Sequence, residues 1–422
     1  MVCGGSALAV EPRPPERPSA RTPRDVARPW GTQKTGFSWP ERGYPRPVSH
    51  PVLAAVRAFA PTLREASRAI DEGRTLPKPI VRGLAEAGCF RLFVPAAIGG
   101  LELAPSAVLD VIEEVARADS AAGWCVMVGS TSGLFAAFLE PAVARELYAD
   151  PLLVTCGVFA PLGVGVDEGQ HVRVSGRWPF ASVAEHASYR MGGVVMRGEG
   201  PPALRHVLFE AAQTRLVDTW QVSGLRGTGS VDMLVDDVLV PKAWTTSLVS
   251  EKPRHDGLLY RFPQFGLLAL SITAVAFGIA REAIDAFAQL ATAKRPGGSK
   301  RTLAQRELTQ LTLARAEARL TSARALARET VAEVEEAARQ GAVTLAHRAR
   351  LRLAACHGME AAADAVGLVY RAAGGTAIYT KCPLERAFRD MHVATQHAMV
   401  SDTVLALAGR VLLGLETDAA TL

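Results

Sequence analysis

HVRVSGRWPFASVAEH, residues 171–186, sets a new period in the chain. Val172, Val174, Trp178 and Phe180 recur at even steps with polar residues between several of them, the alternation of a half-buried strand. The pattern spreads outward over residues 151–250. There Gly and Pro recur about every 8–12 residues and separate short runs such as YRMGGVVM, RHVLFE and VDMLVDDVLVP. An antiparallel β-barrel or sandwich is expected for this interval.

On both sides the period becomes helical. VLAAVRAFAPTLREASRAIDEG, 52–73, carries apolar residues at three- and four-residue steps, and Pro79 to Leu92 repeats the pattern. SAVLDVIEEVARADSAAGWCVMVGSTSGLFAAFL, 106–139, extends it after a turn-rich link. From Pro263 onward four Ala/Leu/Arg-rich segments (263–293, 303–340, 344–373, 383–415) suit a helix bundle with short links. The expected fold class is α+β and mostly α. It has an N-terminal helical domain at 49–150, a central antiparallel β-barrel at 151–250 and a C-terminal four-helix bundle at 251–422.

Composition bounds the function classes. Hydrophobic residues make up 49% and charged residues 21%, enough apolar content for a large core. The net charge is +5, but residues 1–50 hold eight Lys/Arg against four Asp/Glu. The remainder is nearly neutral, which argues against nucleic-acid binding. Residues 1–48 hold nine prolines and read as a disordered Pro/Arg-rich extension, with Trp30, Phe37 and Trp39 as the residues that could dock it. The six cysteines form no CxxC pair, so no metal site is expected and a reducing, cytoplasmic setting is. Phe265 to Ala280 is apolar but short for a membrane span, and a buried core helix is expected.

Six phrases in this order carry a resemblance: LFVPAAIGGLEL, ADSAAGWCVMVG, GRWPFASVAEH, LRGTGSVDMLVDDVLVP, FGIAREAIDAF and RAAGGTAIYTKCPLERAFRDMHVATQH. Together, over about residues 51–415, the chain resembles the acyl-CoA dehydrogenase superfamily. The resemblance implies a flavin between the β domain and the bundle, usually in a homotetramer. A dehydrogenase of this family needs a carboxylate near the substrate α-carbon. The two places where the family keeps it correspond here to Ala398, nine residues after Arg389 of the Arg389-Asp390 pair, and to Leu268. Both are without a carboxyl group, and Glu185 is the one nearby substitute.

Beside the first vacancy stands His397. The segment is similar to the two-component flavin monooxygenase branch, in which reduced flavin (FMN or FAD) and O2 give a C4a-hydroperoxide that hydroxylates phenols, indoles or amines. A histidine there can exchange a proton with the substrate near neutral pH, with a limb expected near the ordinary imidazole value of roughly 6.5. His392, five residues earlier, would face elsewhere if the segment were one ideal helix. The resemblance also places Phe180 behind the flavin ring and the Ser182 hydroxyl at N5. It gives Trp124 a place as a wall of the site, and brings the LRGTGS turn (Arg226, Thr228, Ser230) and the Gly374-Gly375 backbone to the cofactor. AKRPGGSK and YRAAGG lack the Thr, Phe and Gln that tight FAD binders carry. Loosely held reduced flavin from a separate reductase is therefore expected. No strand–GxGxxG–helix unit for NADH is present. A displaced-base dehydrogenase and a non-catalytic helical scaffold are the competing readings.

Overall fold

The computed structural model describes residues 50–198, 203–418 and 422. The expected extension at 1–48, with its three aromatics, lies outside them. The N-terminal region is helical: α1 Pro51–Gly73, α2 Lys78–Glu86, α3 Pro105–Ala118, α4 Ser120–Ser132 and α5 Pro141–Leu147. Asp119 ends α3 in extended backbone and caps α4, accepting from Ala122 N at 2.9 Å. One carboxylate thus satisfies an orphan amide and sets the angle between the two helices. The helix α4 is buried on nearly every face, so an amphipathic stripe would be absent from its sequence.

Seven strands follow: β1 Thr155–Glu168, β2 His171–Ala181, β3 Tyr189–Arg197, β4 Ala203–Glu210, β5 Arg215–Val217, β6 Val231–Pro241 and β7 Thr245–Thr246. They form one sheet in the order β5-β6-β2-β1-β3-β4-β7. The expected antiparallel pairing holds for every pair except β1–β3, which is parallel. The reason is topological, since β2 turns back along one edge of β1 and the chain returns along the other as β3. No pairing closes β5 onto β7 among the described residues, so the sheet is open and mixed rather than a closed barrel. Its centre is Trp178, whose Nε1 donates to Gly193 O at 2.8 Å. Gly163, Gly176 and Gly192 surround the indole, and a Cβ on any of them would come within 2.6 Å of the ring. The glycines are there for volume, because any side chain would displace the indole.

The C-terminal region contains α6 Leu258–Arg261, α7 Gln264–Ala293, α8 Glu307–Arg339, α9 Leu345–Ala373, α10 Pro383–Ala394 and α11 Asp402–Leu412. As expected, the apolar α7 is a core helix, with 89% of its most apolar window buried. The expected single helix over 383–415 is a correction. It breaks at Thr395–Ser401, where a 3-10 turn (Ala398–Val400) separates α10 from α11.

His206 on β4 is 5% exposed, and burial pushes its pKa down to about 4. Its Nδ1 accepts from Leu248 N at 3.5 Å. The folded protein keeps this ring neutral, while the unfolded chain protonates it near 6.5. Stability therefore rises with pH between about 4 and 6.5 and is lost on acidification through that window. His206→Gln should remove up to about 3 kcal/mol of that pH dependence. Urea unfolding of both proteins at pH 7 and pH 4.5 measures it, and identical pH slopes would refute the assignment.

Candidate active site

β2 ends irregularly, and that irregularity builds the site. Its pairing with β6 shifts register between Trp178 and Ala181, which lifts Phe180 out of the ladder. Phe180 takes φ +65 and Val183 φ +59, left-handed values that bulky residues adopt only under constraint. Ser182 N closes the turn on Phe180 O at 2.8 Å. The result is an aromatic ring 67% exposed, edge-on to Trp220, two residues before a serine that is 2% exposed.

The Ser182 hydroxyl stands in a chain of hydrogen bonds. Trp124 Nε1 on α4 donates to it at 3.2 Å, and it lies 2.6 Å from Ser230 Oγ. Ser230 lies 2.6 Å from Thr228 Oγ1, which donates to Leu225 O at 2.8 Å. The backbone joins the same two segments, since Val183 N donates to Thr228 O at 3.0 Å. The strand end and the LRGTGS turn, 42 or more residues apart in sequence, are thus one unit.

His397 occupies the break after α10. It caps the 3-10 turn, with Met399 N donating to its Nδ1 at 3.2 Å. Nδ1 is therefore an acceptor, and the proton of the neutral ring sits on Nε2. Burial and, less, nearby Arg352 push its pKa down to about 4. At neutral pH the residue is an uncharged imidazole whose one donor is Nε2–H. Its ring lies 5.8 Å from that of Trp124, so Trp124 touches both Ser182 and His397. His392, by contrast, is exposed and packs edge-on against Phe388.

Sequence reading missed the groups that hold these parts in register. Asp390, fully buried, accepts from Leu225 N at 2.6 Å, from Ser120 Oγ and from Arg386 Nε at 3.2 Å. Arg386 also pairs with Asp119 at 2.8 Å and donates to Ser67 O at 2.7 Å. Burial alone would lower the Arg386 pKa, but Asp119, Asp390 and Asp71 together raise it, so the guanidinium stays charged. Gly224 lies against the α10 backbone, where a Cβ would meet Arg389 O at 2.3 Å. The i, i+4 spacing of Arg386 and Asp390 was the available signal, yet it reads equally as a surface ion pair.

Comparison with known proteins now decides the family. Residues 50–143 match the acyl-CoA dehydrogenase N-terminal domain and 270–402 its C-terminal domain. An indole-3-acetate monooxygenase of Pseudomonas putida is 31% identical over 366 residues, 85% of this chain and 93% of that protein. The oxygenase subunit HsaA of a flavin-dependent monooxygenase from Mycobacterium tuberculosis is 26% identical, over 82% of this chain and 91% of that protein. Among solved structures, a 3-HSA hydroxylase of Rhodococcus sp. RHA1 superposes with TM-score 0.84 at 25% identity, covering 89% of this chain and 99% of that one. The chain belongs to the acyl-CoA dehydrogenase superfamily, in its flavin-dependent monooxygenase branch.

The two positions where the resemblance would put a dehydrogenase base are apolar here. Leu268 is buried in α7, and Ala398 opens the turn after His397. Glu185, the substitute candidate, is exposed and accepts from Thr75 Oγ1 at 2.8 Å. Three other expected positions lie apart from the Trp124–Ser182–His397 group within this chain. Arg226 donates to Asp71 O at 3.2 Å, at the end of α1. Gly374 and Gly375 are exposed beyond α9, where Lys294 Nζ donates to Ala373 O at 2.7 Å. That bond ties AKRPGGSK to YRAAGG, the two stretches that depart from tight FAD binders.

The donor set fits a flavin. An exposed aromatic face, a buried hydroxyl at its edge and a second aromatic wall suit a planar ring with a polar edge atom. Phe180 and Trp124 would flank the ring, and Ser182 would meet N5.

Proposed function

We propose that this protein is the oxygenase component of a two-component system that hydroxylates an aromatic substrate, a phenol or an indole. It takes reduced FMN or FAD from a separate flavin reductase. The convergence of Ser182, Trp124 and His397, with no carboxylate at either dehydrogenase position, carries this reading. When bound, the reduced flavin supplies the two electrons that divide O2. One oxygen atom enters the substrate C–H bond as hydroxyl, the other leaves as water, and the flavin leaves oxidised. An amine substrate is the second class the same chemistry serves. A cytoplasmic homotetramer is proposed with it; the exposed Leu308 and Leu412 on the bundle helices, with Leu413 just past α11, support the self-association.

The protein's own groups have separate tasks. Ser182 holds the edge of the ring through a bond that water cannot reach, because the hydroxyl is buried. The Trp124 indole excludes solvent between Ser182 and His397. His397 would offer Nε2–H to the oxygen atom that leaves as water, where negative charge grows as the O–O bond breaks and the electron-rich substrate ring takes the other oxygen. A fixed donor at a position of developing charge in a dry site stabilises the transition state without reorganisation.

Isotope labelling tests the reading. Protein, chemically reduced FMN or FAD, 18O2 and a panel of phenols and indoles should yield a product carrying one 18O atom. Acyl-CoA thioesters should leave the oxidised flavin yellow when mixed anaerobically with the protein. Rapid bleaching by a straight-chain acyl-CoA would make the protein a dehydrogenase. Ser182→Ala should lower the product formed per flavin oxidised and raise hydrogen peroxide release, read by a peroxidase-coupled assay. Unchanged coupling would remove Ser182 from the reaction centre.

A further inference from the structure

The hydroxyl chain behind Ser182 has a direction. Leu225 O is a carbonyl and only accepts, so the Thr228 hydroxyl proton is held by it. The Thr228–Ser230 contact must then use the single proton of Ser230. The Ser182–Ser230 contact must in turn use the proton of Ser182. The chain runs one way: Trp124 N–H to Ser182, Ser182 to Ser230, Ser230 to Thr228, Thr228 to the Leu225 carbonyl. All three hydroxyls are buried, at 2–3% exposure, so bulk water does not readily compete for these bonds. Ser182 consequently has no proton left to give. One of its lone pairs receives Trp124, and the other is free.

We propose that Thr228 and Ser230 are positioning residues that make Ser182 a pure acceptor and so select the reduced form of the flavin. The inference rests on the reading that Ser182 meets flavin N5. Reduced flavin carries a hydrogen on N5 and can donate it to the free lone pair. Oxidised flavin has only a lone pair at N5, and the two acceptors repel. The protein thereby favours the cofactor that arrives able to react with O2 and releases the spent one, without a contact that changes shape. Leu225 anchors the far end, and Asp390 holds the Leu225 amide in place.

The test is a ratio of affinities, independent of turnover. Kd for oxidised FMN and FAD is measured by titration in air, and for the dithionite-reduced forms anaerobically, with tryptophan fluorescence as the common signal. Thr228→Val removes the end of the chain with little change of volume. Ser230 is then free to donate toward Ser182, and Ser182 toward N5. Oxidised flavin should bind about threefold to tenfold more tightly than to the wild type, the worth of one neutral hydrogen bond. Ser230→Ala should shift the ratio the same way, and Thr228→Ser should restore it. Tighter binding after loss of a buried hydroxyl is an effect that damage to the fold does not produce. If Thr228→Val and Ser230→Ala weaken both redox forms alike, or leave the ratio unmoved, the orienting role is refuted. Ser182→Ala separates the two levels of the argument. If it changes neither affinity, the placement of Ser182 at the flavin has failed. If it lowers reduced-flavin affinity while the other two variants leave the ratio fixed, only the directional chain has failed.

Discussion

His397→Ala is expected to slow hydroxylation by about 10²–10³-fold, the typical cost of removing one fixed donor from a site of developing charge. Reduced-flavin affinity should fall by no more than about tenfold, since one neutral contact at most is altered there. The pH dependence is the sharper part. A pKa held down to about 4 means that the ring is neutral across the physiological range and charges only as pH falls toward 4. The wild-type rate should therefore show no limb near 6.5 from this group, and an acid limb near 4 instead. Protonation there also breaks the Met399 bond, because Nδ1 would carry a hydrogen facing another N–H. His397→Gln keeps an amide donor without a titration, so it should retain more activity than alanine and lose the acid limb. Single-turnover product formation against pH, from pre-mixed protein and reduced flavin, measures both effects. Wild-type rates in His397→Ala would make the histidine a cap of the 395–401 turn and nothing more.

The sequence carried the large divisions of this chain because they rest on periodicity. Val172 and Val174 alternate, α7 is apolar from Phe265 to Ala280, and the helical regions bracket the sheet where the period changes. Ser182, Trp124 and His397 were legible as separate motifs, each attached to a phrase. Their meeting was not legible, because it depends on a bulge at Phe180 and on a helix break at His397. Neither has a strong local signal: VATQHAMVSD holds no Gly or Pro, and the break is made by His397 and Ser401 bonding their own backbone. The same break explains why the expected imidazole behaviour changed. A histidine on a continuous helix would have kept both ring nitrogens for the site, whereas here Nδ1 belongs to Met399. Arg226 shows the converse, a basic residue in a Gly-rich turn whose bond goes to the α1 backbone.

Asp390→Ala is expected to be the most damaging single change to the fold, at about 3–5 kcal/mol, because it leaves Arg386 buried beside a lost partner. The carboxylate is completely buried and receives three donors from three segments: Ser120 on α4, Arg386 on α10 and the Leu225 amide in the turn. Its loss also orphans the Leu225 N–H, a cost that water cannot relieve at a buried position. Leu225 sits at φ +50, a conformation that a leucine keeps only while its surroundings require it. With the amide released, Leu225 should relax toward ordinary backbone angles and swing its carbonyl away from Thr228. The damage would then pass through Thr228 and Ser230 to Ser182, so stability and flavin selection should fall together. Asp390→Asn separates the two effects. An amide oxygen can still accept from Leu225 N, but the charge opposite Arg386 is gone. That variant should lose a large part of the stability in urea unfolding at pH 7 while its ratio of reduced to oxidised flavin affinity stays close to the wild type. If Asp390→Asn and Asp390→Ala shift that ratio equally, Asp390 acts through charge alone, and the Leu225 amide is not the link between α10 and the flavin edge.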